Sequence, residues 1–170
     1  RDISADAARI PNQIPSLMGM HVSEALELLD TSEYKVKIKE YKLDEPSKAE
    51  VGKYLLWLEQ NFRCPYTNEL IPLSDVFARN KLVEVEHILP KQRYPNNSYS
   101  NKVITWEVIN KAKSDNGNRT AYEFIVSKRT KDKFILSDGK EVNLVPKAEW
   151  EEHVKKMFPK GSKQNNLLRK

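Results

Sequence analysis

The sequence predicts an α+β fold in which helices surround one small strand–loop–strand–helix unit. Residues 83–118 contain two short β-branched strands, separated by a polar loop and followed by a helix. Apolar residues recur at helical spacing elsewhere, as in residues 47–61 and 148–157. A chain of 170 residues, 39% of them hydrophobic, suits one domain with a modest core.

The first 45 residues are the least readable part of the chain, and we expect a connector or arm over residues 1–45. Residues 10–20 contain two prolines and a glycine, which favour irregular structure. Residues 22–29 suit one or two helical turns. Residues 34–43 alternate apolar and basic side chains, and this pattern fits either an edge strand or a charged helix. Because the chain begins with Arg rather than Met, we expect a fragment of a longer protein.

A helix is predicted from Ser47 to about Asn61. Ser47 and Glu50 have the spacing of a capping box, which marks a helix N-terminus. Trp57 lies on the apolar side of this helix. A tryptophan at helical spacing is more often part of a core than a stacking platform for nucleic acid, so we predict that Trp57 is buried.

Cap and turn signals predict the remaining elements. Residues 74–77 and 120–127 suit short helices, each capped by its first residue, Ser or Thr. Asp138-Gly139 lies between two apolar runs and predicts an extra β-hairpin over residues 134–144. A last helix is expected over residues 148–157, and we expect His153 on its surface.

The charge of the chain favours a polyanionic partner. The net charge is +5, with 31% charged residues, and no acid follows Glu152. Two interpretations of the basic C-terminal end stay open: a solvated, half-ordered tail, or a segment that follows a phosphate backbone.

The single cysteine and the hydropathy pattern exclude several classes of protein. Cys64 cannot form an internal disulfide, and one thiol excludes a structural zinc site made of several thiolates. So few cysteines fit a reducing cytosol, and we expect a cytoplasmic protein. No apolar run approaches the length of a membrane span, so we expect no membrane partner.

The strand–loop–strand–helix unit suggests a metal site. Glu86, at the end of the first strand, and Asn110, on the helix, offer hard oxygen ligands and leave most positions of a Mg²⁺ ion to water and phosphate. The imidazole of His87 can act as a base near neutral pH. Because neighbouring residues on a strand point to opposite faces, Glu86 and His87 share a site only if the strand ends or bulges there.

Basic residues around this unit are candidates for contacts with DNA phosphates. Each one alone suits a solvated surface charge, but together they would raise the local positive potential. We favour Lys113, which lies three residues after Asn110 and therefore on the same helix face. The full set is Lys91, Arg93, Lys102, Lys111 and Lys113.

Several motifs resemble the HNH domain of type II CRISPR RNA-guided DNA endonucleases, a branch of the ββα-metal superfamily. They are Cys64-Pro65-Tyr66-Thr67, Ile71-Pro72-Leu73, Glu86-His87-Ile88-Leu89-Pro90, Asn97-Ser98, Asn101-Lys102-Val103-Ile104, Asn110 and Asn118-Arg119-Thr120-Ala121-Tyr122-Glu123. The resemblance implies an HNH nuclease domain over residues 46–170, with a ββα-metal core at 83–117. Many relatives carry Asp where this chain has Glu86.

The resemblance also implies a role for each motif residue. Glu86 and Asn110 would be the metal ligands, His87 the general base, and Asn101 the residue that steadies the loop. The ion would be Mg²⁺, with Mn²⁺ able to replace it. The substrate would be the DNA strand paired with a guide RNA, cut to leave a 5′-phosphate and a 3′-hydroxyl.

Alternatives stay open at this stage. The chain also suits a free-standing HNH homing or restriction nuclease, or a basic DNA-binding module without catalysis. For the guided nuclease, the partners would be the guide RNA–DNA heteroduplex and the remainder of a multidomain nuclease. We expect the isolated domain to be a monomer that nicks DNA poorly and without sequence choice.

Overall fold

The structure is a computed structural model that describes residues 20–42, 44–115, 117–127 and 132–170. The irregular segment expected over residues 10–20 therefore lies almost entirely outside the described residues. The helices of the described part are α1 Val22–Leu28, α2 Ser32–Lys39, α3 Lys48–Glu59, α4 Leu73–Val76, α5 Glu107–Ser114, α6 Ala121–Val126, α7 Trp150–Met157 and α8 Ser162–Leu168. The strands are β1 Val83–His87, β2 Lys102–Trp106, β3 Lys133–Ile135 and β4 Glu141–Asn143. Short 3₁₀ turns cover Tyr99–Asn101 and Lys147–Glu149.

The segment that fitted either a strand or a helix is helix α2. Tyr34 and Ile38, one helical turn apart, are buried, whereas Val36 between them is 63% exposed. The buried positions therefore follow the helical period rather than the alternation that suggested a strand.

Helix α3 forms the centre of the core, as predicted. The side chain of Ser47 accepts from the N–H of Glu50, and the Glu50 side chain accepts from the N–H of Ser47, so the capping box is present. Trp57 is buried, and its indole N–H donates to the carbonyl of Ile71 at 2.8 Å. Helices α1 and α2 and strand β2 pack against α3.

The predicted Ser74 cap is wrong. Helix α4 begins at Leu73, its N-cap is Pro72, and no side chain caps it. The fixed φ of Pro72, here −61° with an extended ψ, places the chain at the helix entrance without help from a serine. Thr120, by contrast, caps α6 in a capping box with Glu123, as predicted.

Strands β1 and β2 form an antiparallel pair that positions the predicted site. Val83 pairs with Trp106 at one end, and His87 pairs with Lys102 at the other. Helix α5 follows β2 directly and packs against both strands. The long loop between the strands therefore lies at the end of β1 where the site was predicted.

The predicted hairpin is present as β3 and β4, with Phe134 opposite Val142. Gly139 adopts a φ of +87° in the turn, a conformation that glycine adopts without strain. No helix in the described ranges is both long and apolar enough to cross a bilayer.

The structure contradicts one of the two open interpretations of the C-terminal end, and it also contradicts the expected surface position of His153. The end of the chain is helix α8 rather than a solvated tail, and Lys163 on it is 1% exposed. Lys163 pairs with Glu59 on α3, a partner that local sequence does not indicate. His153 is half-buried rather than on the surface, because its Nε2–H donates to the carbonyl of Pro65 at 2.6 Å.

Candidate functional site

A polar cavity of about 340 Å³ lies at the end of β1, between the long loop and α5. Glu86, His87 and Asn110 all line it. Lys91 and Lys113 line it as well. The three groups expected to share one site therefore do face one cavity.

The end of β1 explains how adjacent residues face the same cavity. The strand ends at His87, and the loop begins with Ile88, whose N–H still donates to the carbonyl of Asn101 at 3.0 Å. Glu86 is 3% exposed and faces inward, whereas His87 is half-buried. Their side chains therefore lie in different surroundings, as expected for neighbours on a strand, and both border the cavity because it lies at the end of β1.

Both carboxylate oxygens of Glu86 have partners. The hydroxyl of Tyr66 donates to Oε2 at 2.6 Å, and the ammonium of Lys113 lies 2.5 Å from Oε1. Burial raises the pKa of Tyr66 well above its usual value, and the charge of Glu86 raises it further. Tyr66 therefore remains a hydrogen-bond donor to Glu86 throughout the physiological range.

The imidazole of His87 is held by the loop. Its Nε2 lies 2.8 Å from Oδ1 of Asn97. Because an amide oxygen only accepts hydrogen bonds, this contact places the ring proton on Nε2 and leaves Nδ1 as the basic nitrogen. The sequence motifs include Asn97 but assign it no role, and its contact with His87 is seen only in the structure.

Asn101 closes the loop through its side chain. Its amide nitrogen donates to the carbonyls of Leu89 at 3.0 Å and Asn96 at 2.8 Å, and its Oδ1 accepts from the N–H of Leu89 at 2.9 Å. Asn101 is fully buried. These three bonds join the two ends of the loop that carries Asn97.

Asn110 contacts an acid that the sequence analysis missed. Its Nδ2 donates to Oε2 of Glu84 at 2.7 Å. Glu84 and Glu86 are two residues apart on β1 and therefore point to the same side of the strand. Acids spaced by two residues on a predicted strand were the signal that could have identified Glu84.

The predicted phosphate-binding residues lie in different environments. Lys91 and Lys111 are exposed, whereas Lys102 and Lys113 are buried. Burial, and then the charge of Lys91, lower the pKa of Lys102. Arg93 is exposed, but its guanidinium donates to Glu123 at 2.6 Å and to the carbonyl of Asn118 at 2.9 Å.

The donor set fits a hard divalent cation. Carboxylate oxygens of Glu86 and Glu84 and the amide oxygen of Asn110 are the ligand types that Mg²⁺ prefers. The ammonium of Lys113 already occupies one oxygen of Glu86, so this position attracts positive charge. Among the described residues, no group of three or more His, Cys, Asp or Glu side chains is arranged to bind a metal. A centre here would therefore need Asn110, water and substrate oxygens.

The central part of this chain is similar in sequence to known proteins. Residues 64–122 match the sequence model of the HNH endonuclease family. Over 75 residues, 44% of this chain, the sequence is 36% identical to CRISPR-associated endonuclease Cas9 1 of Streptococcus thermophilus, covering 6% of that protein. Over 72 residues, 42% of this chain, it is 36% identical to CRISPR-associated endonuclease Cas9 of Staphylococcus aureus, covering 7% of that protein.

The fold is also shared with a solved structure. A crystal structure of Streptococcus thermophilus Cas9 in complex with the AGAA PAM matches 88% of this chain and 14% of that chain, with a TM-score of 0.61 and 22% identity. A second crystal structure of Cas9 from this species, in complex with the AGGA PAM, matches with a TM-score of 0.58 and 21% identity. The predicted α+β fold around a ββα unit is confirmed, and within it residues 64–122 match the HNH endonuclease family.

Proposed function

We propose that this chain is the DNA-cutting domain of a longer, guide-RNA-directed nuclease of a bacterial cytoplasm. It hydrolyses one phosphodiester bond of the DNA strand that is paired with the guide. The relatives named above are CRISPR-associated endonucleases from bacteria, and the chain aligns with only 6% to 7% of their length. The remainder of the parent nuclease and the guide RNA–DNA heteroduplex are therefore its proposed partners.

The observation that carries this proposal is the cavity shared by Glu86, His87 and Asn110. It combines a carboxylate, an imidazole and an amide at the end of one strand. Hydrolysis of a phosphodiester needs a base for water and a means of neutralising charge on the phosphate. His87 would supply the base, and Glu86 and Asn110 would supply the ligands of a cation that neutralises this charge.

In this mechanism, His87 takes a proton from the water that attacks phosphorus in line with the leaving 3′ oxygen. Asn97 holds the ring by its Nε2–H, so that Nδ1 accepts the proton. The bonds of Asn101 keep the loop closed around this arrangement. General-base catalysis of this kind contributes roughly 10²–10⁴-fold to the rate.

Glu86 and Asn110 would hold one Mg²⁺ or Mn²⁺, with Glu84 next to Asn110. When bound, the ion supplies charge neutralisation at the phosphate and at the leaving oxygen. Lys91 and Lys111, both exposed, are placed to contact the DNA backbone from solvent. Contact with phosphate would require the side chains of Lys102, Lys113 and Arg93 to move. The first two are buried, and the third donates to Glu123.

A nicking assay on supercoiled plasmid, with Mn²⁺ or Mg²⁺, tests the proposal. We expect His87→Ala to lower the nicking rate by about 10²-fold or more, because the base is lost. DNA binding should remain, since the lysines and arginine are unchanged. The matched control is His153→Ala, which removes a histidine that lies outside the cavity. Equal nicking by the native chain and His87→Ala would remove His87 from the mechanism.

A further inference from the structure

We infer that Lys113 is an internal competitor of the divalent cation: its ammonium occupies Glu86 until an entering ion displaces it. This inference rests on the proposed function, because it concerns the same metal centre. It goes further by assigning Lys113 a role in metal binding, in addition to the phosphate contact expected from sequence.

The pair of Lys113 and Glu86 is almost fully buried. Their side chains are 5% and 2% exposed, and the ammonium lies 2.5 Å from Oε1. The other carboxylate oxygen accepts from Tyr66. A cation that binds Oε1 must therefore displace the ammonium, since neither oxygen of Glu86 is left without a partner.

A second contact shows where the displaced ammonium would remain. Lys113 also donates to the carbonyl of His87 at 3.0 Å. This bond keeps the side chain against the cavity wall when the contact with Glu86 is lost. The ammonium would then lie beside the position of the substrate phosphate, because His87 and Lys113 line the same cavity.

In a competition of this kind, the metal binds only those molecules in which Glu86 is not paired with Lys113, called the open form. The apparent affinity is the intrinsic affinity multiplied by the fraction of molecules in the open form. If the paired form exceeds the open form by about tenfold, the apparent Kd for the metal is about tenfold weaker than the intrinsic value. Replacing Lys113 with a neutral side chain removes this factor. The native domain would thus bind metal weakly on its own.

The test is a calorimetric titration of Mn²⁺ into the native chain and into Lys113→Met, without DNA. We expect Lys113→Met to bind Mn²⁺ about tenfold more tightly. The matched control is Lys53→Met. Lys53 also donates to a carbonyl of β1, that of Val83 at 2.8 Å, and carries the same charge. Lys53→Met measures the effect of removing one positive charge beside β1, whereas displacement from Glu86 affects only Lys113→Met.

Adding Glu86→Gln to each chain assigns the binding position. Equal or weaker Mn²⁺ binding by Lys113→Met, still lost with Glu86→Gln, would overturn the competition and leave the metal centre intact. Mn²⁺ binding that is insensitive to Glu86→Gln in every chain would overturn both the competition and the proposed metal centre. An equal gain in Lys53→Met would reduce the effect to general electrostatics and also overturn the inference.

A measurement on the native chain avoids any folding defect of the variant. The ammonium of a buried, hydrogen-bonded lysine exchanges its protons slowly and gives its own NMR signal. We expect the Lys113 signal to shift on addition of Mg²⁺, in step with the amide signal of Asn110. A change at Asn110 with an unchanged Lys113 signal would contradict displacement.

Discussion

Two buried tyrosines differ in what their hydroxyl groups contact. The hydroxyl of Tyr66 donates to Glu86, whereas the hydroxyl of Tyr99 has no hydrogen-bond partner among the residues that the structure describes. We expect Tyr66→Phe to lower the free energy of unfolding by about 1.5–3 kcal/mol, because it leaves a buried carboxylate with one donor fewer. The ring contacts with Trp150 and Phe124 remain. Urea unfolding without added metal measures the loss.

Tyr99→Phe is the matched control for this substitution. It removes the same atom from a site of equal burial, and the Lys163 ammonium stays over the ring, 4.2 Å from its centroid. Since a buried hydroxyl without a partner costs free energy, we expect unchanged stability or a gain of up to about 1 kcal/mol. A loss equal to that of Tyr66→Phe would show that the hydroxyl does have a partner.

His153 makes stability depend on pH. Burial lowers the pKa of His153, the charge of Lys156 lowers it further, and the bond to Pro65 opposes this. A histidine with a lowered pKa in the folded state binds fewer protons than in the unfolded state. Its contribution is therefore complete above the unfolded pKa of about 6.5 and is lost as the pH falls through the lower, folded pKa.

The measurement is thermal unfolding between pH 5 and pH 8 for the native chain and His153→Gln. We expect the native chain to lose more stability than the variant as the pH falls, since carboxylate titration is common to both. Parallel curves would show that protonation of His153 does not contribute to the pH dependence of stability.

Local sequence identified the central site residues but not their partners. Glu86 and His87 lie in one contiguous motif, and Asn110 lies on the helix that follows the return strand, so a short segment was enough to select them. Tyr66 is separated from Glu86 by 20 residues, and no local pattern indicates which carboxylate a tyrosine will contact. The same holds for Lys113, which the sequence suggested as a phosphate ligand and the structure pairs with Glu86.

At the scale of secondary structure, the side chain of Gln60 forms the backbone hydrogen bonds that a neighbouring strand would form with β2. Among the described residues, β2 pairs with β1 on one side and with no strand on the other. On its other side, Gln60 donates to the carbonyl of Ile104 at 3.0 Å and accepts from the N–H of Ile104 at 2.6 Å. Gln60 is fully buried. Its amide therefore satisfies a strand residue as a backbone neighbour would.

We expect Gln60→Leu to lower the free energy of unfolding by about 2–4 kcal/mol. It leaves both polar backbone groups of Ile104 buried and unpaired, each at a cost of about 1–3 kcal/mol. Urea unfolding measures the loss. Gln60→Glu keeps an acceptor for the N–H but places a buried carboxylate against the carbonyl of Ile104, so we expect a loss at least as large as that of Gln60→Leu. Full stability of Gln60→Leu would contradict this role.

Elements with local signals were predictable, and elements that depend on distant partners were not. The capping box that begins α3, the Thr120 cap of α6 and the Asp138-Gly139 turn are local and were identified. Helix α2 was ambiguous because Val36 and Ile38 suggested alternation, whereas packing selected Tyr34 and Ile38. Helix α8 was missed because its buried residues include Lys163 and Gln164, which read as solvated.

At the scale of the whole molecule, the C-terminal helix joins distant parts of the chain. Helix α8 packs against α6, α7 and the 3₁₀ turn at Tyr99–Asn101. Asn166 donates to the carbonyl of Ser100 at 3.1 Å, and the indole of Trp150 donates to the carbonyl of Leu167 at 3.1 Å. The end of the chain thus supports the turn that contains Asn101, and through it the loop of the candidate site.

The ion pair between Glu59 and Lys163 joins α3 to α8 inside the core. Burial raises the pKa of Glu59 and lowers that of Lys163, so each charge depends on the other. We expect Lys163→Met to lower the free energy of unfolding by about 3–5 kcal/mol, because it leaves a buried carboxylate unpaired. The double variant Glu59→Met with Lys163→Met should recover most of this loss, since apolar replacement of a buried pair is often neutral or stabilising. Urea unfolding of the native chain, Lys163→Met, Glu59→Met and the double variant gives the coupling free energy between Glu59 and Lys163. Additive losses in the double variant would mean that α8 is held by its other contacts, and that this pair does not join the ends of the fold.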